Sequence, residues 1–123
     1  METHLFCEIV VSALCKCIVK YFSSNSDFNE QYFNSSVEKF FTLIQNWIMD
    51  QHTQIIAIDT IVNFGCENAF FQKLLIRILI IIFNDMDILS EEAIMMWYNE
   101  LDASDYAPVR ESLAKFIEFV ESD

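Results

Sequence analysis

The chain of 123 residues has one glycine and one proline. So little turn chemistry argues against a fold of tight β-hairpins, and it leaves no glycine-rich loop to cradle a phosphate. Basic residues are scarce too: seven Lys and Arg stand against nineteen Asp and Glu, for a net charge of −12. Nucleic acid and anionic membrane surfaces both need Lys and Arg, so neither is expected as a partner. Histidine is limited to His4 and His52, and Cys7, Cys15, Cys17 and Cys66 form no C-x-x-C. Cys15 and Cys17 point to different sides of a helix, so no zinc site is expected, and buried free thiols in a reducing cytoplasm are the plain reading. His52 reads as a surface or capping residue. G-x-S-x-G and H-E-x-x-H are missing, and the adjacent Glu91 and Glu92 diverge on a helix instead of sharing a proton. No bond-making or bond-breaking chemistry is expected, and no cofactor is implied. The start, Met1-Glu2, is acidic and carries no charged leader pattern. The most apolar run, "ILIIIF" at 78–83, falls well short of the roughly 20 residues that span a bilayer.

What is abundant is apolar side chain: 54% of residues are hydrophobic, with twelve Phe and two Trp, which predicts helices packed around large rings. Apolar spacing predicts six helices. The first covers 5–22, with Leu5, Ile9, Leu14, Ile18 and Tyr21 or Phe22 inward. A loop "SSNSD" follows at 23–27. The second runs from 31 or 36 to 49 and buries Val37, Phe40, Phe41, Ile44, Trp47 and Ile48. The third covers 53–64 with Ile55, Ile58, Ile61 and Val62 inward, and Gly65 is expected to end it in a left-handed C′ conformation. The fourth, 69–86, is apolar on nearly all sides and belongs in the middle of a stack. Pro108 is expected in the first turn of the sixth, which turns Val109, Leu113, Phe116, Ile117 and Val120 inward. Short connections imply antiparallel neighbours, and three helix pairs stacked side by side are the economical all-α architecture, a short solenoid.

The fifth helix lies in "DILSEEAIMMWYNELD", residues 87–102. Ile94, Trp97, Tyr98 and Leu101 keep the i, i+3, i+4, i+7 spacing, Ser90 can cap, Leu89 can staple onto Ile94, and Glu91 and Glu92 suit the positive end of the dipole. Helix formation does not require the remaining acids. Residues 1–84 hold eight acids and five bases, whereas residues 85–123 hold eleven acids and only Arg110 and Lys115. The skew has two readings: a solvated face of two terminal helices, or a site for a basic protein partner. The second needs rings near the acids, because buried rings supply interface energy that exposed charge does not. Tyr98, Tyr106 and Phe119 are the rings expected there, with Trp97 assigned to the core.

The stretches "DMDILSEEAIMMWYNE" (85–100) and "VRESLAKFIEFVESD" (109–123) resemble the two aromatic-and-acidic boxes of a family of translation initiation factor domains. That family includes the epsilon subunit of initiation factor two B, initiation factor five, and the C-terminal end of initiation factor four G. The first box is matched at Asp87, Ile88, Leu89, Glu91, Glu92, Ile94 and Trp97, the second over 116–121. Upstream, "QIIAIDTIVNF" (54–64) looks like the family's preceding helix. Two departures stand out: Phe119 replaces the usual Trp, and no long acidic tail follows within these residues, which implies either weaker binding of the lysine-rich segment or a compacted sequence.

The resemblance implies stacked HEAT-type helix pairs in a single domain over 1–123. It implies cytoplasmic binding of initiation factor two, through the lysine-rich segment of its beta subunit and its gamma GTPase subunit, and contact with other subunits of initiation factor two B. The partner-binding residues it implies are Asp85, Asp87, Glu91, Glu92, Tyr98, Glu100, Glu118, Phe119, Glu121 and Asp123. The opening "THLFCEIVVSALCKCIVKYF" (3–22) is most similar to the exchange domain of the epsilon subunit, and by that likeness Glu8 is the residue implicated in GDP–GTP exchange. The alternatives from other members are a docking module without exchange activity, as in initiation factor five or four G, and, from the residues alone, a helical scaffold whose acidic face is merely solvated.

Overall fold

A computed structural model describes residues 3–23, 30–48, 50–102 and 104–122. Six α-helices carry the fold: α1 (Thr3–Ser23), α2 (Glu30–Ile44), α3 (Gln51–Glu67), α4 (Ala69–Ile80), α5 (Glu91–Asn99) and α6 (Arg110–Glu121). No strand occurs among the described residues. α1 packs on α2 and α3 on α4, and the helices stack in two layers. In one layer α3 lies between α1 and α5; in the other α4 packs on α6, and the turn that continues α4, 81–85, packs on α2. The result is the expected all-α solenoid. Phe33, Phe41, Phe71 and Phe116 are fully buried where the layers meet.

Local sequence explains where helices start. Asp50 caps α3 by accepting from Thr53 N at 2.9 Å, and Asp50 N donates to Thr53 Oγ1 at 3.0 Å, so two otherwise orphaned amides are satisfied. Asn68 alone turns the chain from α3 into α4, its side chain accepting from Phe71 N at 2.9 Å. The expectation for Gly65 is therefore corrected. It lies inside α3, without positive φ, and a Cβ there would stand 3.3 Å from a Leu75 methyl. Its use is close approach of α4, not a left-handed cap.

Other expectations shift, and Phe40 and Ile55, expected inward, are half-buried. In α1 the buried stripe is Cys7, Val11, Leu14, Cys15, Ile18 and Phe22, which leaves Ile9 54% exposed and Tyr21 outside; the side chain of Leu5 lies outside the described ones. Trp47 is 41% exposed, because α2 stops at Ile44 and tightens into a 3-10 turn, Gln45–Trp47, that rotates the indole off the stripe and against Phe6 at 5.8 Å. The fourth helix widens after Ile80 into a π turn, Ile81–Asp85. There Ile82 O accepts from Ile88 N at 2.8 Å and Leu89 N at 3.3 Å, closing the turn into α5. Pro108 sits in a 3-10 turn, Ala107–Val109, that leads directly into α6.

One carboxylate ties the last third to the rest. Asp59 on α3 accepts from Trp97 Nε1 at 3.0 Å and also from the Tyr106 hydroxyl. Trp97 is 4% exposed, and Tyr106 stacks on it at 6.0 Å. Tyr106 holds a left-handed backbone, φ 56°, which costs a non-glycine residue about 1–2 kcal/mol. The stack and the hydrogen bond hold it there.

Asp59→Ala is expected to lower stability by about 1–3 kcal/mol, because the buried indole N–H loses its acceptor, and Tyr106→Phe by about 1 kcal/mol. The double variant should lose less than the sum, since both deletions break one network; strict additivity in urea unfolding would contradict the shared acceptor. Burial first, then the bond to and charge of Asp59, raises the Tyr106 pKa above its ordinary value of 10.0. The folded state therefore keeps a proton that the unfolded chain gives up, and this stabilisation is complete below about pH 10 and declines progressively as pH rises from there through the raised folded value. Burial likewise pushes Cys7 up to about 11 and Cys15 to about 12 from 9.0, with the same sign. The urea midpoint should fall as pH rises past about 9, and less steeply above about 10 in Tyr106→Phe.

Candidate partner-docking site

The acids of the last third fall into three groups. Around the turn from α4 to α5 stand Asp85, Asp87, Glu91 and Glu92, all exposed. Asp85 accepts from Asn84 Nδ2 at 3.1 Å. Asp87 has φ 57°, a left-handed conformation that aspartate tolerates better than most residues. Glu91 and Glu92 fill the first turn of α5, where Ser90 caps by accepting from Ala93 N at 3.1 Å. Ser90 N in turn donates to Gln54 Oε1 on α3 at 2.7 Å, so the start of α5 is fixed to the central helix. Leu89 and Ile94 are both buried, as the staple requires.

The second group lies at the other end of α5. Glu100 follows its last turn, and Glu8 of α1, Asp59 of α3 and Glu100 line one cavity of about 330 Å³, with Ile55, Ile56 and Leu101 also on its wall. Glu8 and Asp59 reappear on an adjacent cavity of about 390 Å³ with Glu67 and Lys16. Glu8, distant in sequence from both boxes, is thus brought beside an acid of the first.

The third group is on α6. Glu118 and Glu121 are exposed, and Phe119 is half-buried with its ring 6.3 Å from Phe83, edge-on. Asp123 lies outside the described residues. α5 packs on α3 and α6 on α4, and Phe119 of the second box meets the end of α4 at Phe83, two residues before Asp85 of the first.

The rings are less free than the sequence suggests. Tyr98 is half-buried with the Arg110 guanidinium 5.7 Å over its face, and Arg110 Nη2 also donates to Asp102 O. Tyr106 is engaged by Asp59 and Trp97. The large apolar side chain that α5 does expose is Met96, 47% accessible, whose sulfur accepts from Gln51 Nε2 at 3.2 Å. Sequence reasoning missed Met96 and Asp59. For Asp59 a signal existed: it is the one acid inside the apolar stretch 54–64.

Cys7 and Cys15 are buried free thiols as expected, but Cys17 is exposed and Cys66 half-buried. Among the described residues no three His, Cys, Asp or Glu side chains are grouped to hold a metal ion. No helix among them is long and apolar enough to cross a membrane.

Comparison with curated proteins and with solved structures yields no match. A family model does match, described as W2, eIF4-gamma/eIF5/eIF2-epsilon, over residues 53–123. The match spans more than half of the chain and takes in both acidic boxes, the helix that carries Asp59 from its third residue on, and all of α4. The chain belongs to the W2 family, the protein-interaction domains of translation initiation factors.

Proposed function

We propose that this domain docks a lysine-rich segment of another initiation factor, the beta subunit of initiation factor two, on the acids that surround α5. The observation that carries the reading is the exposure of Asp85, Asp87, Glu91 and Glu92 together at the start of α5, inside the W2 match. Four carboxylates on one turn and the helix end after it create a field that draws lysines by long-range attraction. The fixed N-terminus of α5 keeps them on a rigid element. Glu118 and Glu121, exposed on α6, extend the field.

A second reading adds guanine-nucleotide exchange on the GTPase subunit, with Glu8 acting on it. It is favoured by the cavity that Glu8 shares with Asp59 and Glu100, the last an acid of the first box. Exchange of this kind is population shift by binding and asks for no bond chemistry of the domain. HEAT-type pairing, a cytoplasmic setting and contact with other subunits of initiation factor two B belong to the same reading.

Binding of the lysine-rich beta segment, followed by fluorescence anisotropy, should weaken steeply between low salt and 1 M, where the screening length shrinks to about 3 Å. Replacing Asp85, Asp87, Glu91 and Glu92 together by their amides should weaken it at least about tenfold at low salt. Unchanged affinity would sink the docking reading. Fluorescent GDP release from initiation factor two, faster with the domain and slow again with Glu8→Ala while segment binding persists, is the result expected of the exchange reading. No acceleration at all would remove that reading and leave docking.

A further inference from the structure

One cavity lies ahead of the start of α5, and Gln45, Asn46 and Ile48 of its wall are outside the family match. It measures about 340 Å³ and is lined by Gln45 and Asn46 of the 3-10 turn after α2, Gln54 of α3, and Asp87, with Ile48 and Met86 beside them. Its chemistry is one carboxylate and three amides over a few aliphatic groups, and no Lys, Arg or His is among the residues that line it. Gln54 is held in place, since its Oε1 accepts from Ser90 N. Asp87 reaches the cavity from a left-handed backbone, a conformation that proteins keep where the surroundings enforce it and that gathers at ligand clamps.

Resting on the docking reading, we propose that this cavity seats the side chain of a single lysine from the partner segment. An ammonium has three donors and no acceptor. Asp87 offers the charge, and the side-chain carbonyls of Gln45 and Asn46 offer the two neutral acceptors that would complete it. The wall is mainly polar, Ile48 and Ile88 being buried behind it, so half-buried Met86 is the side chain left to meet the lysine stem while the ammonium takes the polar groups. The other acids around α5 attract lysines without selecting one; the cavity fixes the register of the segment.

The test uses the full chain and a fluorophore-labelled oligolysine peptide at low salt. Asp87→Asn keeps a residue that accepts the left-handed backbone, so the fold is retained while the charge goes. It is expected to weaken binding about tenfold, against less than about twofold for Glu111→Gln, which removes the same charge from an exposed position on α6. The paired change Gln45→Ala with Asn46→Ala alters no charge and is expected to weaken binding about threefold. Equal losses for Asp87→Asn and Glu111→Gln, or no loss with the paired amide change, would overturn the seat and leave a diffuse electrostatic surface. If the unaltered chain fails to bind oligolysine, the docking reading falls and the seat with it.

Discussion

The Asp59 carboxylate is the point on which the acidic third of the molecule turns. It is carried by α3, the helix that packs against α1, α4 and α5, and it receives both the Trp97 indole and the Tyr106 hydroxyl. Fixing the indole fixes the rotation of α5: Ala93, Ile94 and Trp97 face inward, and Glu91, Glu92 and Met96 are left in solvent. Gln54, a little over one turn earlier on α3, holds the other end of α5 through Ser90 N. The central helix therefore sets both ends of the short helix that displays the acids. A helix of this length has little stability of its own, so its orientation is inherited from these ties and from packing.

The two-layer arrangement has a consequence for how a basic partner can be met. With α5 packed on α3 and α6 on α4, the acids of the two boxes are carried by different helices, each adding its part of one negative field. Several rings that could have anchored a partner are already spent inside the chain, Tyr106 on Trp97 and Tyr98 under Arg110. Under the docking reading this favours a contact that forms quickly, responds strongly to salt and depends on a few well-placed seats for its specificity.

Much of the fold was legible in the sequence because helical spacing of apolar residues survives without context. The stripe of α6, the cap at Ser90 with its staple, and the burial of Trp97 all appear as the spacing predicts. What failed has a common cause: tertiary approach overrode a local rule. Gly65 carries the signature of a helix end, yet α4 needed its missing side chain, and the turn passed to Asn68. Trp47 belonged to the α2 stripe until the helix tightened after Ile44. At the site, the acids were visible as composition, whereas the role of Asp59 and the polar wall formed by Gln45 and Asn46 depend on which helices meet, and spacing within one helix does not encode that.

The most direct test of the account is amide chemical-shift mapping of the domain during titration with the lysine-rich beta segment. The account predicts that the largest shifts fall on residues 85–92, with Gln45, Asn46 and Gln54 moving alongside them and the first turns of α1 unaffected. Shifts confined to the exposed apolar residues of α1 and α2, or spread evenly over all acids of α5 and α6, would contradict it.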